Sequence, residues 1–397
     1  MSKPEEQEEP ALVPGNVAAE DYRRQRQAAD HGRDGFAAEV RARFEDHIKN
    51  GRDQMQALLH SYGVEENEAS ALVDEHIAEV TAEGISEFDD PYGHAIIRAL
   101  VREITAVCEQ GGVPIREGVV IGVSATDGLH AYQSEVPLTG ASIIDFAMPF
   151  TTFCNQFAIL LARNLRHDVD GERVAVNYDP SQIPNALHSD KELLAAWARL
   201  FARYAIEGWP QSIPRSEQDA VRLPTRLHIV HAMELFAVAH EYGHHVLQHG
   251  SSDTSHPTSD PTQMEHDADG FARMISIAVG SNMEPPNYFE ITGAGGVLML
   301  GSLDLVRRAI HVLTTGNTDF PPRDVHPPLA ERVQTIGAFD DFVPESLRDQ
   351  CAAMRADLLG VVEAIWLAVE PILLGMFEKG VRLPAQHSER TGWIRLI

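Results

Sequence analysis

The stretch from Pro224 to Gly250 constrains the fold more than any other part of the chain, because it is long, mostly apolar and helically spaced, yet carries His240-Glu241-Tyr242-Gly243-His244. A helix that is apolar over most of its surface belongs in a core. Four residues make a little over one helical turn, so His240 and His244 project from one face and can each place a ring nitrogen on one metal ion. Glu241, next to the first of them, would reach a water there without coordinating the metal. The competing reading is a buried helix whose histidines are only hydrogen-bonded. Thr225 is placed to cap this helix, and Gly250 is a natural residue just past its end.

A second helix follows a polar loop. Asp260-Pro261-Thr262-Gln263 combines an N-cap Asp, a proline at the first helical position and a Gln three residues after the cap. This predicts a helix to about Val279 that ends at Gly280. Glu265 falls near its start and Asp269 at i+4, on the same face. Glu265 lies 21 positions beyond His244, enough chain to bring a third ligand back to the first two. Asp267, His266 and His249 compete for that place. Asp269 can accept a hydrogen bond from the far nitrogen of a metal-bound imidazole, or be a plain acid on a helix surface. Two His and one Glu leave a position for water, the arrangement of a catalytic zinc site. Zinc brings the pKa of such a water from about 15.7 toward 7, and Glu241 can then take its proton as it attacks a carbonyl.

These motifs come in a fixed order: His240-Glu241-x-x-His244, then Glu265-x-x-x-Asp269 within Ala268-Asp269-x-Phe271-Ala272, then His326-Pro327-Pro328-x-x-x-Arg332. The series resembles the HtpX-like and CAAX-prenyl-protease-like gluzincin metallopeptidases over about residues 224–339. The resemblance implies a zincin-type core with one zinc ion, a peptide or protein substrate, and peptide-bond hydrolysis. It also gives His326 the part of a donor to the tetrahedral intermediate and Arg332 that of a support for the site. An extra donor aimed at an oxyanion is worth about 3 kcal/mol. Read from the residues alone, His326 could equally be a loop histidine packed on a helix end, and Arg332 could be satisfied by Glu331 or solvent. The chain departs from those families in its expected lack of transmembrane spans, and soluble gluzincins with other N-terminal regions fit as well.

The rest of the chain narrows the setting. Its 397 residues are 44% hydrophobic, enough for a sizeable core. Acidic residues outnumber basic ones 59 to 32, and no run of Lys and Arg is present to follow a phosphate backbone, so nucleic acid is not an expected partner. Cys108, Cys154 and Cys351 are scattered and odd in number, which argues for a reducing cytoplasm. The leader holds Glu5, Glu6, Glu8 and Glu9 and no apolar core, so it reads as disordered and not as a secretory signal. Leu358 to Phe377 is interrupted by Glu363, Glu370 and Pro371 and reads as a buried helix instead of a membrane span.

The expected architecture is α+β and mostly helical. An acidic leader (1–15) precedes a helical region of three helices (16–110), then a peptidase domain with a small sheet (111–340) and a helical C-terminal subdomain (341–397). Val119–Ser124 and Leu129–Gln133 are expected to form a hairpin about Asp127-Gly128. Phe150–Arg166, Asp190–Ile206 and Val297–Leu313 read as helices, and Val174–Tyr178 as a strand. Two further readings remain: a zinc-stabilised interaction protein without catalysis, and a regulatory peptidase with one cellular target. The first has no need of Glu241.

Overall fold

The computed structural model describes residues 15–31, 36–61, 64–81, 85–113, 115, 118–124, 126, 128–136, 139–170, 173–208, 221–249, 260–320 and 327–383. Among these, four helices come first: α1 (Gly15–His31), α2 (Phe36–Ser61), α3 (Glu66–Val80) and α4 (Pro91–Gly111). The three helices expected over 16–110 are four among the described residues. Asp90 caps α4 by accepting a hydrogen bond from the Gly93 amide, with Pro91 in the first turn. The acidic leader lies outside the described residues up to position 14.

Three strands follow, β1 (Val119–Ser124), β2 (Ala131–Glu135) and β3 (Ser142–Ala147), in the order β1-β3-β2. β1 runs parallel to β3, Val119 opposite Ser142, and β2 runs antiparallel to it, Ala131 opposite Phe146. The hairpin expected between β1 and β2 is therefore wrong, because β3 lies between them. Asp127 is outside the described residues. β3 is buried at all six positions and so shows no alternation of apolar and polar residues to give it away.

The two faces of this sheet do different work. Val120, Gly122, Ile143 and Asp145 face α1, where Ala19 joins a small apolar cluster with Val136, Ala141 and Ile143. Arg23 of α1 lies over Gly122 and donates to Asp89 (2.9 and 2.5 Å) and Asp145 (2.8 Å), all three buried. The opposite face, with Ile144 and Phe146, joins the main core.

That core is built by α5 (Pro149–Asn164), α6 (Ile183–Ser189), α7 (Lys191–Glu207), α8 (Leu223–Val246), α9 (Pro261–Asn282), α10 (Tyr288–Ile291), α11 (Ala294–Thr315), α12 (Leu329–Ala338) and α13 (Glu345–Glu378). An antiparallel ribbon of β4 (Arg166–Asp170) and β5 (Arg173–Asn177) sits between α5 and α6, so Arg166 opens a strand and does not end a helix. Phe153, Phe157, Trp197 and Phe201 form its aromatic centre, with Phe157 edge-on to Trp197 at 5.1 Å. Edge-on and stacked pairs of this kind add about 0.5–1.5 kcal/mol beyond their area. α13 is long and apolar enough to cross a membrane by length and composition, and 39% of its most apolar 18-residue window is buried inside the fold. Its buried side, from Leu358 through Val362 and Ile365 to Leu373, packs in the main core, while Leu367 faces out.

Helix ends are set by tertiary contacts as much as by local signals. α8 begins at Leu223, so Thr225 is inside the first turn and not its cap; its hydroxyl meets His167 Nε2 of β4 at 3.1 Å. α9 continues past Gly280 to Asn282. A Cβ at Gly280 would lie 2.6 Å from that of Glu290 and 2.9 Å from the Asn287 carbonyl oxygen, so this glycine serves a close approach to α10.

His231 of α8 ties three helices together. Its Nδ1 lies 2.6 Å from Glu290 of α10, and its Nε2 lies 3.2 Å from Glu103 of α4. Burial disfavours the imidazolium, but the two carboxylates outweigh burial and raise its pKa to about 10. Its contribution to stability is therefore complete below the free-histidine value of about 6.5 and is lost as pH rises through about 10. Urea unfolding of the parent and of His231→Gln should differ most below pH 7, and the gap should close by pH 10.5. A gap independent of pH would show that the ion pairs do not form.

Candidate active site

α8 and α9 pack along one another, and the packing needs small residues. A Cβ on Gly243 would come 3.1 Å from the Phe271 ring of α9, and one on Gly270 would come 2.5 Å from the Phe339 ring that follows α12. α9 is thus sandwiched closely between α8 and α12. Its start is the one expected: Asp260 accepts from the Thr262 amide at 3.0 Å, with Pro261 in the first turn. Gln263 donates to Asp267 at 2.8 Å and does not reach back to the cap.

This packing brings His240, His244 and Glu265 together, with one ligand atom from each lying within 4.8 Å of the others. His240 Nε2 and His244 Nε2 are 3.1 Å apart. Glu265 closes the triangle, Oε2 at 3.5 Å from His240 Nε2 and Oε1 at 3.6 Å from His244 Nε2. Of the competitors for Glu265's place, Asp267 is engaged by Gln263 and His266 Nδ1 meets Thr335 Oγ1 at 2.7 Å.

Both imidazoles are held from behind. His240 Nδ1 lies 3.0 Å from Asp269 Oδ1, and a carboxylate can only accept, so Nδ1 carries the proton and the Nε2 lone pair faces the triangle. His244 Nδ1 lies 2.8 Å from His249 Nδ1. His249 reaches this place because α8 closes with Gln248 at φ 59°, a left-handed conformation uncommon for a residue other than glycine. The His249 amide then donates to the His244 carbonyl at 2.9 Å. So the left-handed stop expected at Gly250, which is outside the described residues, is made two residues earlier by Gln248. The sequence offers His249 as a competing ligand; its position as the partner of His244 had no signal, because nothing in a Gln announces a positive φ.

Asp269 is fully buried, and Arg332 of α12 is nearly so. The guanidinium grips the carboxylate with two hydrogen bonds, Nε to Oδ2 at 2.7 Å and Nη2 to Oδ1 at 2.6 Å, while Nη1 lies 3.5 Å from Glu265 Oε2. Burial alone would raise the Asp269 pKa, but Arg332 and His240 hold it below the usual carboxylate range. Burial alone would lower that of His240, but Asp269 and Glu265 raise it to about 9. His249 moves the other way, to about 4, through burial and the neighbouring His244, so it is neutral near pH 7 and can accept the His244 proton. Glu241 is buried next to His240 on α8. His326 lies outside the described residues.

Three ligand-type residues drawn together, each imidazole oriented by a second group, and a buried helical carboxylate one residue from His240 form an arrangement able to hold a cation and move a proton. Residues 171–342 match the family model Peptidase U49. The match indicates a peptidase family and takes in α8, α9 and α12, so all of His240, Glu241, His244, Glu265, Asp269 and Arg332 fall within it. It is not a match to the gluzincin families that the motifs resemble. No curated protein and no solved structure gave a significant match.

The Asp269–Arg332 pair can be tested as structure. Removing one partner of a buried ion pair leaves the other charge unpaired, at a cost of about 3–5 kcal/mol. Arg332→Ala should lose that much in urea unfolding, and adding Asp269→Ala to it should cost less than the sum of the single changes. A loss under about 1 kcal/mol would show that solvent reaches the pair.

Proposed function

We propose that this chain is a zinc-dependent peptidase in which His240, His244 and Glu265 hold the metal and Glu241 moves the proton. The observation that carries this reading is the size of the donor triangle. A tetrahedral zinc with bonds of about 2.0–2.1 Å sets its donors about 3.4 Å apart; the two Nε2 atoms here are 3.1 Å apart, and the Glu265 carboxylate approaches His240 through Oε2 at 3.5 Å and His244 through Oε1 at 3.6 Å. The tautomers support it too. With Asp269 engaging His240 Nδ1 and His249 able to accept the proton of His244 Nδ1, both Nε2 atoms are turned toward each other at 3.1 Å, an arrangement that asks for a positive charge between them, a proton or a metal ion.

Zinc in such a donor set supplies Lewis acidity, which activates water as a nucleophile near neutral pH and polarises a carbonyl. The residues of the chain do the rest. As water adds to the scissile carbonyl, Glu241 accepts its proton and then delivers it to the amide nitrogen that leaves, so one water is consumed and an acid and an amine are released. Asp269 keeps His240 in the tautomer that presents Nε2, and His249 does the same for His244. Arg332 neutralises Asp269, helping to keep that buried carboxylate ionised, and lies within ion-pair distance of Glu265. His326 is the proposed oxyanion donor, on the resemblance of the His326-Pro327-Pro328-x-x-x-Arg332 element. The substrate is a peptide or protein, and the setting proposed for the reaction is the cytoplasm.

Zinc content and peptide cleavage, measured together, separate the parts of this reading. The parent and Glu241→Gln should each hold one zinc, with cleavage abolished only in the second. Glu265→Ala should lose the metal. His249→Ala should keep the fold and bind zinc about 10–100-fold more weakly in competition with a chelator. A parent chain without metal after zinc reconstitution overturns the reading.

A further inference from the structure

Arg307 of α11 is placed unlike any other arginine near the site. Its side chain is 17% exposed, and its nearest acid, Asp304 Oδ1, is 3.7 Å from Nη1, beyond hydrogen-bond distance. Asp304 is already taken by Arg308, whose Nε donates to it at 2.7 Å and whose Nη1 donates to Glu363 at 2.9 and 3.1 Å. Among the described residues no acceptor meets any of the five N–H groups of Arg307, and Nε is shut off from solvent. Desolvated donors left without a partner are costly and rare in native folds.

The surroundings hold the guanidinium in place without satisfying it. It lies over the Phe320 ring, Cζ 5.2 Å from the centroid. His311, one turn along, packs edge-on to the same ring at 5.5 Å, and its Nε2 is likewise buried without a partner. Arg307 and His311, at i and i+4, therefore line one face of α11 with unmet hydrogen-bonding groups. α11 packs against α8 and α12, the helices that carry His240, His244 and Arg332. Arg332 gives its own donors to Asp269 and Glu265.

We propose that Arg307, backed by Phe320 and His311, is an anion-binding subsite for a carboxylate of the peptide substrate, either an acidic side chain near the scissile bond or a free C-terminus. This rests on the peptidase reading above. A guanidinium braced on a ring presents a planar fork that matches a carboxylate with two parallel hydrogen bonds. Its lack of a hydrogen-bond partner among the described residues is what keeps the fork available.

The test uses the full chain, its Arg307→Met and Arg307→Lys variants, and three alanine-based hexapeptides. One is neutral and amidated, one is amidated with a single central Glu, and one is neutral with a free C-terminus. Titration calorimetry should show the parent favouring one acidic peptide over the neutral one, and which of the two it favours identifies the carboxylate. Arg307→Met should reduce that preference about tenfold or more, with Arg307→Lys in between. The melting temperature of Arg307→Met should be unchanged or higher, since it removes donors that nothing satisfies; a structural role would lower it. The same preference in parent and Arg307→Met, or no preference in the parent, overturns the subsite. Zinc content and cleavage of the neutral peptide report separately on the underlying reading. Should both be absent while the acidic preference still depends on Arg307, the peptidase reading fails and the subsite stands.

Discussion

The buried carboxylate of Asp269 is the interaction on which the site depends. An ionised carboxylate in a core is tolerated only when charge and hydrogen bonds surround it, and here they come from two other helices, His240 of α8 and Arg332 of α12. One side chain on α9 therefore fixes the distance between three helices and the tautomer of the first imidazole at once. α8 cannot shift to accommodate a change, because every residue from Ala232 to Gly243 is buried. A packed apolar replacement of such an ion pair is often no less stable, so a network of this kind inside a core points to function, as the family match of the same segment does independently.

The two site helices were legible because their signals are local. A spacing of four residues places two side chains on one helix face whatever the tertiary structure, and Asp260-Pro261 announces a helix start by backbone chemistry alone. The failures all involve information that is not local. β3 is a central strand and carries no period of two, so the sequence pattern pairs β1 with β2 directly. Gly280 looks like a helix stop and is instead where α10 comes near. Thr225 looks like a cap and instead meets a side chain from β4. Gln248 adopts a glycine-like conformation that its identity does not suggest, and the place of His249 follows from that one dihedral angle.

The sheet links distant parts of the chain to the site through its polar side chains. On its outer face Asp145 of β3 holds Arg23 of α1, together with Ser124 of β1. On its inner face Ser142, at the start of the same strand, meets His245 Nδ1 at 2.9 Å and accepts from Gln133 of β2 at 2.7 Å. His245 is adjacent to His244 and rotated about 100° from it, so the helix turns one histidine toward His240 and Glu265 and the next toward β3. The register of β3 against its neighbours thus fixes the rotation of α8 about its own axis, which is the variable that decides where His240 and His244 point.

Two arginines then show how the same side chain is used in opposite ways a short distance apart. Arg332 is buried with its donors directed at Asp269 and Glu265, and its charge stabilises groups that the fold has already fixed. Arg307 is held on Phe320 with no acceptor at hydrogen-bond distance among the described residues, beside an aspartate that a neighbouring arginine has already engaged. Burial favours neutral or fully bonded groups in both cases; among the described residues the first arginine finds its partners and the second does not. The difference separates charge that builds the site from charge left for what enters it, and it locates the second kind on α11, the helix that no sequence motif singles out.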